Sequence, residues 1–396
     1  MYLSKTFLIP LLVILFYSMI SYQRNTLWID DYTLWTDTLS KSFQKSRVHN
    51  NLGLIYLDQE HYEKAISALN TALEKSIKAL IKVNPALIKK EDIEKDNLSL
   101  SVLKYAPHSA EICNNLGTSY QKQDKWDQAI TYYQKALALK PMYPRAYNNL
   151  GVTYNLKGQP DKAIFNLKEA LRLKPFYPEA CNNLGAAFKE KGLLKHAIEW
   201  YKKAITLRPD YSKAYFNLAS LYSEMGKHQQ AIDQFSKILT YQPERADVYY
   251  NIGNAYKHLG LFIDAVNSYN QALLIDRNMT KARYNLGIIY NQQEKYDTAI
   301  LSFKKVLQLR PDHIDSYNNL GIAYYSKGLY PEAVAAYKEA LHINPDYTAS
   351  HLNLAIVYRE QGDVDKSLYH LNRASTVEPA HPQLGLIRKK ILELKQ

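Results

Sequence analysis

Asparagine recurs every 34 residues from residue 115 onward, and its carboxamide group is a candidate ligand. A carboxamide both donates and accepts hydrogen bonds, so a row of them can pair with the backbone amides of an extended peptide irrespective of its side chains. Contacts between neighbouring helices would use the same groups, and the sequence leaves both roles open. The candidate peptide-binding asparagines are Asn115, Asn149, Asn183, Asn217, Asn251, Asn285, Asn319 and Asn353.

The residue just before each asparagine varies along the chain, which makes it a candidate for specificity. It is aromatic in three successive units, and aromatic side chains exposed in a concave surface are frequent binding anchors. The alternative is partial burial of these rings against the neighbouring first helix. The aromatic candidates are Phe216, Tyr250 and Tyr284, and the basic side chains six residues after the asparagine are Lys189, Lys257 and Arg359.

No spacing typical of an enzyme occurs in the sequence. The chain lacks the Gly-x-Gly-x-x-Gly, Gly-x4-Gly-Lys-Ser/Thr, Gly-x-Ser-x-Gly and His-Glu-x-x-His motifs. Its 11 histidines are dispersed, and none forms a Cys/His cluster with metal-ligand spacing. The sequence therefore predicts a protein that is not an enzyme, with no catalytic residues, no cofactor and no metal site.

The elements that position these residues follow from a second set of regularly spaced side chains. Most of the asparagines begin the triplet Asn-Leu-Gly, an aromatic residue follows, and an alanine and a proline recur later in the unit. Apolar spacings of three and four in each half indicate two amphipathic helices per unit. Glycine between the halves suits a turn with positive φ, and proline ends the second helix. A fixed period of this length is typical of a solenoid.

This pattern is similar to the tetratricopeptide repeat (TPR), and the resemblance covers residues 46–381. It implies an all-α right-handed TPR superhelix (α-solenoid) of about nine helix-turn-helix repeats, whose first helices line a groove that binds other proteins. Counted from the start of each repeat, the asparagine is place six and its variable neighbour is place five. The row of asparagines also resembles the asparagine ladder in the repeats of O-linked N-acetylglucosamine transferase.

The repeats give the predicted domain organisation. Residues 46–109 form the first repeat with an insertion at about 73–102, residues 110–381 form eight regular repeats, and residues 382–396 form a capping helix over the last repeat. The insertion predicts an extended second helix and a short excursion. TPR domains that clamp the C-terminal carboxylate of chaperone tails use Lys at place five and Asn at place nine. Here no repeat has Lys at place five and only Asn254 satisfies place nine, which argues against that mode.

Composition adds few constraints on partners. The net charge of +12 would suit an acidic partner or a membrane surface. The basic residues are scattered rather than aligned in a stripe, so no nucleic acid partner is predicted. Cys113 and Cys181 occupy the same place two repeats apart, too far for a disulfide, and are expected to be small buried residues.

The amino-terminal residues predict a membrane connection. Residues 7–20 are uncharged and strongly apolar, so residues 1–22 are predicted to form an uncleaved signal-anchor that enters the membrane through residues 7–22. Residues 23–45 would be an aromatic lead-in segment. Lys5 precedes the apolar segment and Asp30 and Asp31 follow it, so the positive-inside rule places the repeats of a single-pass protein on the extracytoplasmic side.

Residues 22–53 resemble the junction between membrane domain and repeats in TPR-bearing O-mannosyltransferase-type proteins, through Arg24-Asn25, Trp28, Asp30-Asp31 and Leu34-Trp35. The multi-span catalytic part of those proteins is missing from this chain. The first hypothesis is therefore a membrane-anchored, non-enzymatic scaffold that holds an extended segment of a partner protein in its groove. The alternative is the accessory or substrate-recruiting arm of a membrane glycosyltransferase system, and a third hypothesis is a spacer or self-assembling solenoid.

Overall fold

The computed structural model describes residues 45–83, 103–106 and 108–393, together with Leu34 and Thr38. Within these residues the chain forms 19 helices and no strand, and consecutive helices pair, which confirms the predicted all-α solenoid fold. The chain divides into two compact units, Met1–Ala214 (unit 1) and Tyr215–Gln396 (unit 2).

The helices of unit 1 are α1 (Ser46–Asp58), α2 (Tyr62–Val83), α3 (Ser109–Gln121), α4 (Trp126–Leu139), α5 (Pro144–Leu156), α6 (Pro160–Leu173), α7 (Pro178–Glu190) and α8 (Leu194–Leu207). The unit boundary falls within α9 (Ser212–Glu224). Unit 2 continues with α10 (His228–Tyr241), α11 (Ala246–His258), α12 (Phe262–Ile275), α13 (Thr280–Gln292), α14 (Tyr296–Leu309), α15 (Ile314–Ser326), α16 (Tyr330–Ile343), α17 (Thr348–Glu360), α18 (Val364–Val377) and α19 (Leu384–Leu392).

Local sequence explains where the helices begin and end. In the repeat that starts at Pro144, this proline and Pro160 both stand in the first turn of a helix, where the missing N–H is not needed. Between them Gly158 makes the turn with φ +71°. Asp124 and Glu294 occupy the same turn in other repeats and adopt φ of 56° and 60° despite their side chains. The turn is therefore a property of the repeat, and glycine is its least strained residue.

Small residues at place eight let the two helices of a repeat approach closely. In unit 1 a Cβ added to Gly117 would lie 2.7 Å from the Tyr133 ring, and one added to Gly151 would lie 2.6 Å from Leu167 Cγ. Both Tyr133 and Leu167 are completely buried. In unit 2 the Tyr337 ring occupies the space where a Cβ on Gly321 would lie. The large residue of the second helix thus fills the space that glycine leaves on the first.

Both ends of the repeat array have structural features of their own. In unit 1, α2 is 22 residues long and runs on to Val83, whereas the other second helices have 14 residues. The following residues, 84–102, lie outside the described part of the chain. In unit 2, α19 packs on α17 and α18, and it buries Leu384, Ile387 and Ile391 against Leu352 and Leu371. This helix covers the apolar surface that a following repeat would otherwise cover.

The prediction of a single-pass membrane protein with extracytoplasmic repeats is wrong. In the part of the chain that the structure describes, no helix combines the length and the apolar composition that a membrane span requires. Even α2, the longest of them, carries charged side chains such as Glu63, Glu74 and Lys78. The predicted anchor at residues 7–22 lies outside the described residues, as does the aromatic lead-in apart from Leu34, Thr38 and Lys45.

Two histidines near the end of unit 2 form a hydrogen-bonded pair. His351 Nδ1 and His370 Nδ1 are 2.9 Å apart, and His351 Nε2 is 3.0 Å from the carbonyl oxygen of Pro345. If His351 donates from Nε2 to Pro345, its Nδ1 accepts from His370, and both rings are neutral. Burial, helped by His351 and Lys338, lowers the pKa of His370 to about 4, and burial also lowers the pKa of His351.

This pair predicts a loss of stability in acid. The pKa of His370 in the unfolded chain is near its ordinary value of ~6.5. Between pH ~6.5 and about 4 the unfolded chain therefore carries a proton on His370, whereas the folded chain does not. The stabilisation is complete above pH ~6.5, and we expect unit 2 to lose about 1–3 kcal/mol as the pH falls to about 4. Urea unfolding between pH 7.5 and 4 would measure it. His370→Gln should remove most of the pH dependence, and an equal dependence in this variant would contradict the assignment.

Candidate functional site

Within each unit, first helices of successive repeats contact one another and form a surface on which predicted site residues lie. In unit 1 these contacts join α1 to α3, α3 to α5 and α5 to α7, and in unit 2 they join α13 to α15 and α15 to α17. In each unit we call the exposed side of its first helices the first-helix surface, which in unit 2 includes α11 and the part of α9 from Tyr215 onward. Place five and place six of each repeat lie on these helices.

In unit 1 the asparagine at place six donates to the asparagine at place five of the preceding repeat. The distance from Nδ2 to Oδ1 is 3.1 Å from Asn115 to Asn50, 3.2 Å from Asn149 to Asn114 and 2.9 Å from Asn183 to Asn148. Within a repeat, Asn114 and Asn148 donate to the Oδ1 of Asn115 and Asn149, at 3.4 and 3.3 Å. The six carboxamides therefore form one continuous chain of hydrogen bonds that connects the repeats.

Burial differs along this chain of carboxamides. Asn114 is completely buried and Asn148 is buried, whereas Asn149 and Asn183 are half-buried. A carboxamide has two N–H groups and two acceptor lone pairs, so the single bond donated by Asn149 or Asn183 to the preceding repeat does not use its full capacity. The structure thus assigns these asparagines a role between repeats, and their orientation on the first-helix surface is fixed by it.

In unit 2 the partners of place six vary because place five varies. Asn319 Nδ2 donates to the Tyr284 hydroxyl at 3.0 Å, and Asn353 Nδ2 donates to Asn318 Oδ1 at 2.9 Å. Asn251 donates to the carbonyl oxygen of Asp247 in its own helix, at 2.7 Å. Asn217 is half-buried on α9. Bonds to the preceding repeat therefore recur in unit 2 at Asn319 and Asn353, with a tyrosine hydroxyl as one acceptor, whereas Asn251 bonds within its own helix.

The aromatic side chains at place five are half-buried and rest on the second helix of their own repeat. Ring centroids are 5.4 Å apart for Phe216 and Phe235, 5.9 Å for Tyr250 and Tyr269, and 5.9 Å for Tyr284 and Phe303. Burial raises the pKa of Tyr284 to about 12. This is the partial burial that the sequence left open, but the supporting helix is the second helix of the same repeat. A role of these rings in binding stays a prediction.

Place five of the last repeat shows why this place varies. Leu352 is buried there and packs against Leu384, Ile387 and Ile391 of α19. No asparagine of a following repeat needs an acceptor at this end, so an apolar residue fits. In the preceding repeat Asn318 is buried and accepts from both Asn353 and Ser350, the latter at 3.1 Å.

A polar cluster in unit 2 links α11, α12 and α13. Asn254 Oδ1 accepts from the Tyr269 hydroxyl at 2.7 Å and from Asn285 Nδ2 at 3.0 Å. The Nζ atom of Lys257 donates to Asn285 Oδ1 at 3.3 Å. Burial lowers the pKa of Lys257. Of the other basic residues at this place, Arg359 pairs with Glu360 and Lys189 is half-buried on α7.

Three repeats of unit 1 end in a tyrosine at place thirty-four, and these tyrosines were not among the residues predicted from the sequence. Tyr143, Tyr177 and Tyr211 are half-buried, and each stacks under a basic side chain three residues before it. The distances from the cation to the ring centroid are 4.9 Å for Lys140, 4.4 Å for Lys174 and 4.7 Å for Arg208. The spacing of 34 residues is visible in the sequence, and it could have identified them.

Metal ligands and cysteine thiols are the other side chains of the described residues that could carry chemistry. Among them, no group of three or more His, Cys, Asp and Glu side chains is placed to hold a metal ion. Cys113 and Cys181 are both free and completely buried, and burial raises their pKa values to about 12 and about 11. Their thiols therefore stay protonated and are poor nucleophiles.

Family models of the tetratricopeptide repeat match the chain along most of its described length. The matched residues are 46–78, 108–175, 187–226, 212–245, 246–279, 287–328, 314–347 and 336–369. The chain belongs to the tetratricopeptide repeat family. TPR chains of this kind are scaffolds for protein–protein interaction. No curated protein matches the sequence significantly.

Three solved structures illustrate what this TPR chain is similar to. The C-terminal part of a TPR repeat-containing protein from Cytophaga hutchinsonii is 19% identical, with 60% of this chain and 98% of that chain covered and a TM-score of 0.53. MamA is 28% identical over 41% of this chain and 95% of its own, with a TM-score of 0.40. YrrB, described as a TPR protein with an unusual peptide-binding site, is 24% identical over 46% of this chain and 95% of its own, with a TM-score of 0.41.

These comparisons do not support two parts of the sequence-based interpretation. The family models that match are those of the TPR, and the resemblance of residues 22–53 to O-mannosyltransferase-type membrane proteins has no support beyond it. Association of this TPR chain with a membrane glycosyltransferase is likewise unsupported.

Proposed function

We propose that this TPR chain is a non-catalytic scaffold that binds an extended segment of a partner protein on its first-helix surface. The observation that carries the proposal is the set of half-buried place-six carboxamides that a hydrogen bond to the preceding repeat orients, such as Asn149 and Asn183. An oriented carboxamide can pair with a backbone amide at a smaller cost in side-chain entropy than a mobile one. The regular spacing suits a ligand with a regular backbone.

The aromatic side chains of unit 2 would add apolar contacts to this backbone pairing. Phe216, Tyr250 and Tyr284 stand beside the asparagines, and each is supported by a buried ring, Phe235, Tyr269 or Phe303. A supported ring loses little freedom on binding, which is why rigid aromatic residues act as anchors. The partner segment would therefore lie along place five and place six of successive repeats.

Peptides selected from a displayed library of random 16-residue sequences on the full chain would test this function. We expect the selected peptides to lose at least tenfold in affinity for the variant with Phe216→Ala, Tyr250→Ala and Tyr284→Ala, because these rings supply the apolar contacts. Tyr241→Ala is the matched control, since Tyr241 is exposed on the second helix α10.

Because the three rings also pack on the second helices, circular dichroism and urea unfolding must show that the variant folds. If it does not, the single variants Tyr250→Ala and Tyr284→Ala replace it in the same assay. Affinities equal to those of the unchanged chain, in variants that fold, would reject this surface as the binding site.

A further inference from the structure

Lys257 is a half-buried lysine without an acidic partner. Its Nζ donates to a neutral acceptor, Asn285 Oδ1, at 3.3 Å. It forms no ion pair with any carboxylate of the described chain, and Asp247 on the same helix is already bound by Arg245 at 2.7 Å. A charge that is partly removed from water and has no counter-ion costs free energy. The folded chain thus keeps an unpaired cation on its first-helix surface.

Asn254 presents further donors beside this cation. Its Oδ1 accepts from the Tyr269 hydroxyl and from Asn285 Nδ2, so the direction of its carboxamide is fixed. The Nδ2 atom of Asn254 makes no hydrogen bond to the part of the chain that the structure describes, and it is not among the buried polar atoms that lack a partner. Asn254 precedes Lys257 by three residues, so both lie on one face of α11.

We propose that Lys257 and Asn254 bind the side-chain carboxylate of an aspartate or glutamate in the partner segment, a specificity that rests on the proposed function. The ammonium has three N–H donors, of which one reaches Asn285, and Asn254 offers two more. Asn254 Oδ1 already accepts two hydrogen bonds and Asn285 Oδ1 accepts from Lys257, so the cluster offers mainly N–H donors to a ligand. An ionised carboxylate carries the opposite charge and accepts only, so it matches this set of donors better than a neutral amide does, and a cation does not match it.

The position of Lys257 favours a side chain over a chain end. Phe216 in the preceding repeat and Tyr284 in the following repeat provide contacts on both sides of it, so a segment that uses them continues past Lys257 in both directions. Place five of its own repeat holds Tyr250 instead of a lysine. The carboxylate therefore belongs to a residue inside the segment.

Peptides selected on the full chain supply the probe for this site. We expect Lys257→Met to weaken the binding of a selected peptide at least tenfold at 50 mM salt, and the loss should shrink at 500 mM salt because the pair is partly screened. Lys257→Arg should keep most of the affinity. Lys305→Met is the matched control, since Lys305 is an exposed lysine on the second helix α14.

A double-mutant cycle identifies the carboxylate. Each Asp and Glu of the peptide is changed in turn to Asn or Gln, and one of these changes should weaken binding to the unchanged chain about tenfold and to Lys257→Met less than twofold. Equal losses for both proteins at every acidic position would overturn the proposal. So would a peptide whose binding depends on its free C-terminal carboxylate and on no acidic side chain.

The two proposals fail in different ways. If only the carboxylate site is wrong, substitution of the place-five aromatics still weakens binding at least tenfold while Lys257→Met leaves it unchanged. If the first-helix surface is not the binding site, neither change affects the selected peptides.

Discussion

Replacing Tyr133 by alanine should lower the free energy of unfolding of unit 1 by about 3–5 kcal/mol, the largest effect we expect from a single substitution. Tyr133 is completely buried, and its ring lies 2.7 Å from where a Cβ on Gly117 would be. Its hydroxyl is 3.1 Å from both Thr118 Oγ1 and Gln121 Oε1. Alanine would leave a cavity between α3 and α4 that glycine cannot fill.

Two comparisons separate packing from hydrogen bonding at this position. Tyr133→Phe keeps the ring and should cost only about 0.5–1.5 kcal/mol. Leu301→Ala changes an exposed side chain and should stay within about 0.5 kcal/mol of the unchanged chain. Because a solenoid need not unfold in one step, hydrogen exchange of α3 and α4 should accompany urea unfolding. A cost below about 1 kcal/mol for Tyr133→Ala would contradict this account of repeat packing.

Asn114→Ala should have the second largest effect, about 2–4 kcal/mol, because it breaks the chain of carboxamides inside unit 1. Asn114 is completely buried, accepts from Asn149 at 3.2 Å and donates to Asn115 at 3.4 Å. The alanine variant would leave a donor and an acceptor of the neighbouring asparagines without partners. Asn278→Ala, in an exposed turn, is the control and should be nearly neutral.

A double-mutant cycle tests whether Asn114 and Asn149 act together. If the hydrogen bond between them carries the effect, the double variant with Asn149→Ala should be about 1 kcal/mol more stable than the sum of the single losses predicts. Additive losses would show that the two asparagines contribute separately. The hydrogen bond from Asn149 to the preceding repeat would then not contribute to stability.

The sequence predicted the repeat fold well because its packing depends on local pattern. Gly117 and Tyr133 are 16 residues apart, and the equivalent small and large residues of the other repeats have the same separation. The small residue and the large residue that fills the space beside it can therefore be recognised by spacing alone. Gly158 could be placed in a turn because few other residues adopt positive φ. These features recur within a single repeat and need no knowledge of how repeats stack.

The site was predicted less well because its contacts join different repeats. That Asn114 serves the asparagine of the next repeat depends on the register between two first helices, which the spacing of 34 residues does not reveal. The same register explains Leu352, which has no following asparagine to serve. The half-burial of Tyr250 depends on the ring of Tyr269 in the second helix, and the sequence could not decide between this support and free exposure.

Lys257 illustrates the same limit for charge. The sequence located a basic residue at this place but did not show whether an acidic residue would neutralise it. Arg359, at the same place in another repeat, forms an ion pair with Glu360, and Lys257 has no acidic partner in the described chain. Only the structure separates the two, and it makes Lys257 the better candidate for contact with a ligand.

Site-specific photo-crosslinking would show directly where on the chain a bound peptide lies. The photoreactive residue p-benzoylphenylalanine would replace Tyr250 and Tyr284 on the first-helix surface, and Tyr241 and Tyr369 on second helices would serve as controls, since both are exposed. With a peptide selected on the full chain, we expect the photoreactive residues at positions 250 and 284 to crosslink to different residues of the peptide, in an order that follows its sequence. The two control positions should give no crosslinks. Crosslinks at the controls as strong as those at Tyr250 and Tyr284, or none at either of these two, would contradict binding of an extended segment on the first-helix surface.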